Sequence, residues 1–153
     1  MTNKELVALL AGKFSGPGRL NLTWPGEPIN IIEYKTTLTA TAGGGGEFVK
    51  IDYTWEYEGE QGGSMLVSIG DGKVTMAWGD SFHQQPHLMI CEGKTTEHGF
   101  VVQGSYPAGE GPDWGWRTEL KKVSPTELHL LMTNIHPDGQ EDWAVEHIYT
   151  LEA

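Results

Sequence analysis

Residues 77–93 read AWGDSFHQQPHLMICEG and gather Asp80, His83, His87 and the chain's one cysteine, Cys91, in a single short run. Four such side chains could hold a zinc ion, or pair a thiolate with an imidazole base. Zinc sites that work by spacing place their ligands as close pairs on a shared turn or helix. Here Pro86 lies between the two histidines and denies them one helical face. Cys91 alternates with Met89 and reads as the interior of a strand. A nucleophilic Cys91 needs a base within hydrogen-bond reach and an activating environment, and the sequence presents neither. The expectation is no catalytic set and no metal site: Asp80 falls at a strand end, and His83 in a loop at one rim of the fold.

Other residues have chemistry of their own. Arg117 and Glu119 sit two apart on one strand face. Were that face internal, the guanidinium would suit a ligand carboxylate; were it external, the pair is a solvated ion pair. His147 shares a strand face with Trp143, Val145, Tyr149 and Leu151. Its partner across the last hairpin depends on the turn. A two-residue Asp138-Gly139 loop sets it opposite Leu130, and a Pro137-Asp138-Gly139 turn with a glycine bulge sets it opposite His129. The proline favours the second, which would create a histidine pair if that face is inward. No phosphate-binding, dinucleotide or nucleophile-elbow motif occurs, and Gly43–Gly46 opens no helix.

The elements that must position these residues are strands. Thr2 and Glu5 form a capping box ahead of Leu6, Leu9 and Leu10, which predicts a two-turn helix stopped at Gly12 and covering something apolar. Beyond it the period is two. Even positions from Ile32 to Ala40, Thr36 apart, and odd positions from Val49 to Tyr57 are apolar or aromatic against polar neighbours. The run SMLVSIGDGKVTMAW has Asp71-Gly72 at a two-residue turn, which sets Ile69 opposite Val74, Val67 opposite Met76 and Met65 opposite Trp78. Turn chemistry and patterning agree on that register. Further strands bounded by turn residues bring the count to about ten. With no βαβ alternation, a single antiparallel domain over residues 1–153 follows, and closure into an up-and-down barrel removes its edges.

Composition narrows the partners. The chain has 153 residues, is 38% hydrophobic, carries six tryptophans and 21 glycines, and has a formal net charge of −11. Such acidity disfavours nucleic acid and anionic membrane surfaces. The N-terminus lacks the cationic start and longer apolar run of a secretory signal, and one cysteine forms no internal disulfide, so a cytoplasmic, bacterial-type protein is expected.

LAGKFSG at 9–15, continuing to Gly16 and Gly18, resembles the N-terminal Gly-x-Trp signature of calycins, the lipocalin, fatty-acid-binding and nitrobindin-like barrels, with Phe14 in place of the tryptophan. Trp78-Gly79-Asp80-Ser81, Gly93, Trp116-Arg117, Asp138-Gly139 and Tyr149-Thr150 extend the likeness to a bacterial calycin-like family of unknown function. Leu151 stands where that family closes with an arginine. The resemblance implies a barrel with a small-molecule cavity, but supplies no activity. Inward aromatics would form the cavity wall: Tyr53, Trp55, Trp78 and Trp116, with Met76 beside them. His147, Tyr149 or Arg117 would orient a small apolar or aromatic ligand. By analogy with nitrobindin-like barrels, His147 is also a candidate haem ligand. Two alternatives stay open: a barrel enzyme using a cavity histidine or arginine for proton transfer, and a scaffold without a ligand. Assembly as a homodimer is open as well.

Overall fold

The computed structural model covers residues 1–153 and shows one short helix and ten strands. The helix α1 (Asn3–Leu10) begins at the expected capping box. Thr2 Oγ1 accepts from the Glu5 backbone N–H, and Glu5 Oε2 accepts from the Thr2 backbone N–H. It ends one residue earlier than the sequence pattern suggests, at an extended Ala11 cap, and Gly12 already opens the first strand.

The strands are β1 (Gly12–Asn21), β2 (Ile31–Gly43), β3 (Phe48–Glu56), β4 (Glu60–Gly70), β5 (Lys73–Asp80), β6 (Gln84–Thr96), β7 (Gly99–Tyr106), β8 (Trp114–Ser124), β9 (Glu127–Ile135) and β10 (Glu141–Leu151). Each pairs antiparallel with its sequence neighbours, and β1 pairs with β10, so the sheet is a closed up-and-down barrel without edges. The β4–β5 register is the one expected, with Asp71 at φ 53° and Gly72 at φ 74°, the left-handed pair that such a two-residue turn requires. Gly44–Gly46 form a 3-10 turn at the β2–β3 tip.

Alternation sorts the wall into an apolar inside and a charged outside. Along β3, for example, Val49, Ile51, Tyr53 and Trp55 are buried while the residues between them are exposed. At one end α1 caps the barrel. Leu6 and Leu10 are wholly buried, and the Asn3 side chain ties the helix to β4 by bonding both the N–H and the C=O of Ile69. Phe14 and Leu151 face each other across the β1–β10 seam near this end. Above the helix the interior is packed solid by residues such as Leu38, Met65, Met76, Phe100 and Leu120. Outside, Leu66, Leu88 and Ile90 form an exposed apolar strip over β4 and β6.

The opposite end differs. Loops 22–30, 57–59, 81–83, 107–113 and 136–140 surround it, and two of the three register irregularities lie there, the third falling between Lys122 and Ser124 at the far end of β8. In β6 the residues 85–88 bulge out opposite Gly79, and in β10 Ala144 is an extra residue between Trp143 and Val145. Bulges at a barrel rim re-aim side chains.

Candidate functional site

Two buried polar networks occupy the layer beneath the open end. The first is built on Asp80, which alternation from Trp78 carries inward and which is 4% exposed. Its Oδ2 accepts from Tyr53 Oη at 2.6 Å and Trp55 Nε1 at 3.2 Å. Its Oδ1 accepts from the backbone N–H groups of Phe82 at 2.8 Å and His83 at 2.9 Å. Tyr53 in turn accepts from Trp78 Nε1 at 2.9 Å. One carboxylate thus fixes three aromatic rings and the turn that follows it, the local role in which an aspartate binds backbone two and three residues on.

That turn folds His83 back into the barrel. Its ring stacks on Trp55 at 5.4 Å between centroids and lies 5.2 Å from Trp116, which itself stacks on Trp78 at 5.3 Å. His83 is therefore a rim-loop residue by backbone but an interior residue by side chain. Asp80 does end β5 and His83 does lie in the rim loop, as the sequence suggests; what the tertiary structure adds is that Asp80 is the centre of a network and holds His83 there. Burial pushes the His83 pKa below the usual histidine range, partly offset by the Asp80 charge.

The second network surrounds His147. Tyr34 Oη lies 2.8 Å from Nε2, and Tyr149 Oη lies 2.7 Å from Nδ1. Thr36 Oγ1 lies 2.8 Å from Tyr149 Oη and donates to the Thr54 carbonyl at 2.6 Å. Counting donors assigns the protons. Thr36 spends its hydrogen on Thr54, so Tyr149 donates to Thr36, His147 Nδ1–H donates to Tyr149, and Tyr34 donates to the bare Nε2. Burial, with His83 as a second cause, lowers the His147 pKa to about 3, while burial raises Tyr34 and Tyr149 above the usual tyrosine range. As folded, both imidazole nitrogens are engaged by the wall. A haem iron needs one of them free, so these residues do not fit that group.

The expected His129–His147 pair does not form, because His147 faces Leu130 and His129 lies opposite Ile148. The turn itself is the favoured one: His136 C=O accepts from Gly139 N–H at 2.9 Å, and His136 N–H donates to Gln140 at 2.8 Å, with Gly139 at φ 93°. The Ala144 bulge then shifts the register by one. It also turns Trp143 outward, where the Arg19 guanidinium lies 4.9 Å from its ring.

A cavity of about 200 Å³ opens above these networks, between β1, β8, β9, β10 and the 81–83 turn. Its apolar lining includes Leu20, Leu22, Tyr106, Trp114, Trp116 and Ala144, and its polar side includes Asn134, His136 and Asp142. Two ring nitrogens on its lining residues, His83 Nε2 and Trp116 Nε1, are buried without a partner in the protein, as is Thr118 Oγ1 one strand step below Trp116.

Of the eight residues singled out in the sequence, Trp116 lines this cavity. Tyr53, Trp55, Trp78, His147 and Tyr149 are buried in the layer beneath, and Met76 is in the packed interior. Arg117 is not among them. It points outward and pairs with Glu141 at 2.5 Å and Glu119 at 3.4 Å. Sequence reasoning missed Tyr34, Thr36, His136 and Asp142 as site residues, and it weighed Asp80 and His83 only as a metal or catalytic set before setting them aside. Tyr34, Thr36 and Asp80 lie on the apolar phase of their strands, a signal that could have found them. No three His, Cys, Asp or Glu side chains converge to hold a metal ion.

A family model described as a protein of unknown function (DUF1579) matches residues 10–150. The crystal structure of Rv2717c from M. tuberculosis aligns over 100% of this chain and 99% of its own, with a TM-score of 0.69 and 11% sequence identity. At that identity the likeness is one of fold alone. No curated protein matches the chain.

Proposed function

For a chain that belongs to the DUF1579 family of proteins of unknown function, we propose that the barrel is a calycin-like binder of a small apolar or aromatic molecule at its uncapped end. The observation that carries this reading is the 200 Å³ cavity itself, walled by aromatic rings, with two buried ring nitrogens left unpaired. Native interiors seldom leave buried polar atoms without partners, so a cavity that does so is suited to a ligand that supplies them. An apolar cavity of this size admits a molecule of one ring with small substituents. Tyr53, Trp55, Trp78, His147 and Tyr149 support the cavity from below, and the two networks keep their rings from collapsing into it. In place of the calycin tryptophan and arginine, Phe14 and Leu151 form an apolar pair across the seam, consistent with a joint replacement.

The same reading makes the protein a cytoplasmic, bacterial one with a small hydrophobic partner. Its net charge of −11 argues against nucleic acid and anionic membranes, and its lone cysteine is buried with a thiol raised to about 11 by burial. No helix is long and apolar enough to cross a membrane.

Titrating ethylbenzene into the full chain while following tryptophan fluorescence tests the proposal. A saturable change is expected in the wild type, with loss of binding in Ala144→Leu, which fills the cavity at a buried wall position. A wild type that gives no saturable change, or an Ala144→Leu variant that binds unaltered, overturns it.

A further inference from the structure

One side of the cavity carries a device that neither network contains. His136 is the first residue after β9, and Asp142 is the second of β10. His136 Nε2 lies 2.5 Å from Asp142 Oδ2, and its ring packs on Trp114 at 4.1 Å between centroids. The backbone of His136 is held by both its bonds across the 136–140 turn. The carboxylate accepts only, so Nε2 carries the hydrogen, and in the neutral imidazole Nδ1 is a lone-pair acceptor with no partner in the protein. Both residues line the cavity.

The donors lie deeper. Trp116 follows Trp114 by one two-residue step of β8, about 7 Å along the barrel, and its Nε1–H is buried and unpaired. Asn134, paired with Trp116 in register, accepts from Tyr106 Oη through its oxygen and keeps its NH₂ group for another partner. The cavity therefore has an acceptor near the rim, donors one step in, and flat aromatic walls between.

We propose that the His136–Asp142 pair is the polar anchor of the ligand site: His136 Nδ1 accepts a hydrogen bond from a ligand hydroxyl, and Trp116 Nε1–H donates to an acceptor oxygen at the ligand's far end. The ligand class this selects is a small para-substituted phenol with a carbonyl-type oxygen opposite its hydroxyl. Asp142 acts as a positioning residue that holds the imidazole in the accepting tautomer. The inference rests on the cavity being the binding site.

The test compares 4-hydroxyacetophenone with 4-methoxyacetophenone, which keeps the shape and the carbonyl but has no hydrogen to donate. Isothermal titration of the full chain is expected to show the hydroxy compound binding about tenfold more tightly, the worth of one well-made buried hydrogen bond. His136→Phe keeps an aromatic ring beside Trp114 and is expected to erase that preference. His136→Leu supplies the same comparison should the first variant not fold. Trp116→Phe is expected to weaken both compounds several-fold. Equal affinities in the wild type, or a preference that survives His136 substitution, overturn the anchor. Binding of ethylbenzene without either ketone overturns it while leaving the cavity reading intact, and failure of all three overturns both.

Discussion

His147 sits almost wholly buried between Tyr34 and Tyr149, and burial lowers its pKa to about 3 against 6.5 for a free histidine. The unfolded chain therefore binds a proton at this residue between those two values, and the folded chain does not. The sign follows from linkage: the contribution of neutral His147 is fully present above about pH 6.5, falls by about 1.4 kcal/mol per pH unit below it, and stops falling below about pH 3. Urea unfolding at pH 7 and pH 5 is expected to show a lower midpoint at pH 5. His147→Gln, which removes one titrating group, is expected to reduce that difference, leaving the part due to His83, whose pKa burial also lowers. A variant with the full wild-type pH dependence would place the effect in other groups. The Arg117–Glu141 pair contributes little by comparison, because Glu141 is exposed and water screens it.

Strands β3, β4 and β5 are matched so that one glycine leaves room for the Asp80 network. Gly63 pairs with Tyr53 on one side and Asp80 on the other. A Cβ there would lie 2.2 Å from Tyr53 Cζ and Oη. Tyr53 would have to leave Asp80, and Trp78 Nε1, which donates to Tyr53 Oη, would lose its fixed partner. Gly63→Ala is expected to cost about 1–3 kcal/mol in denaturant unfolding, with a changed near-ultraviolet tryptophan signal. An unchanged signal would show that the network tolerates the intrusion. Gly18 plays the same part for the second network, since a Cβ there would meet the rings of Tyr34 and His147.

Closure of the whole barrel depends on the one pairing that joins chain-distant strands. Between Ser15 and Gly18 of β1 the chain passes so near β10 that a Cβ on Gly16 would lie 1.9 Å from the Ile148 carbonyl oxygen. That atom is backbone and cannot swing aside. Gly16→Ala is therefore expected to open the β1–β10 seam and leave the hairpins from β3 to β6 paired. Hydrogen exchange should read this as lost protection confined to β1 and β10. Uniform protection across the barrel would show that the seam absorbs the change elsewhere.

Local physics alone determines most of this architecture. Period-two alternation, the Asp71-Gly72 turn and the Thr2–Glu5 capping box each depend on neighbours a few residues away, so the strands, their inner faces and the helix are legible before any fold is known. The site is another matter. The 136–140 turn is readable from Pro137 and Gly139, yet the Ala144 bulge resets the register by one and exchanges His129 for Leu130 opposite His147. A bulge has no strong composition signal, because it answers to curvature at the barrel rim. His83, in the same way, becomes an interior residue only because Asp80 captures its backbone and Trp55 receives its ring. Arg117 and Trp116 are adjacent in the chain yet lie on opposite faces of one wall. Alternation separates them, but only closure of the sheet decides which of the two faces the cavity.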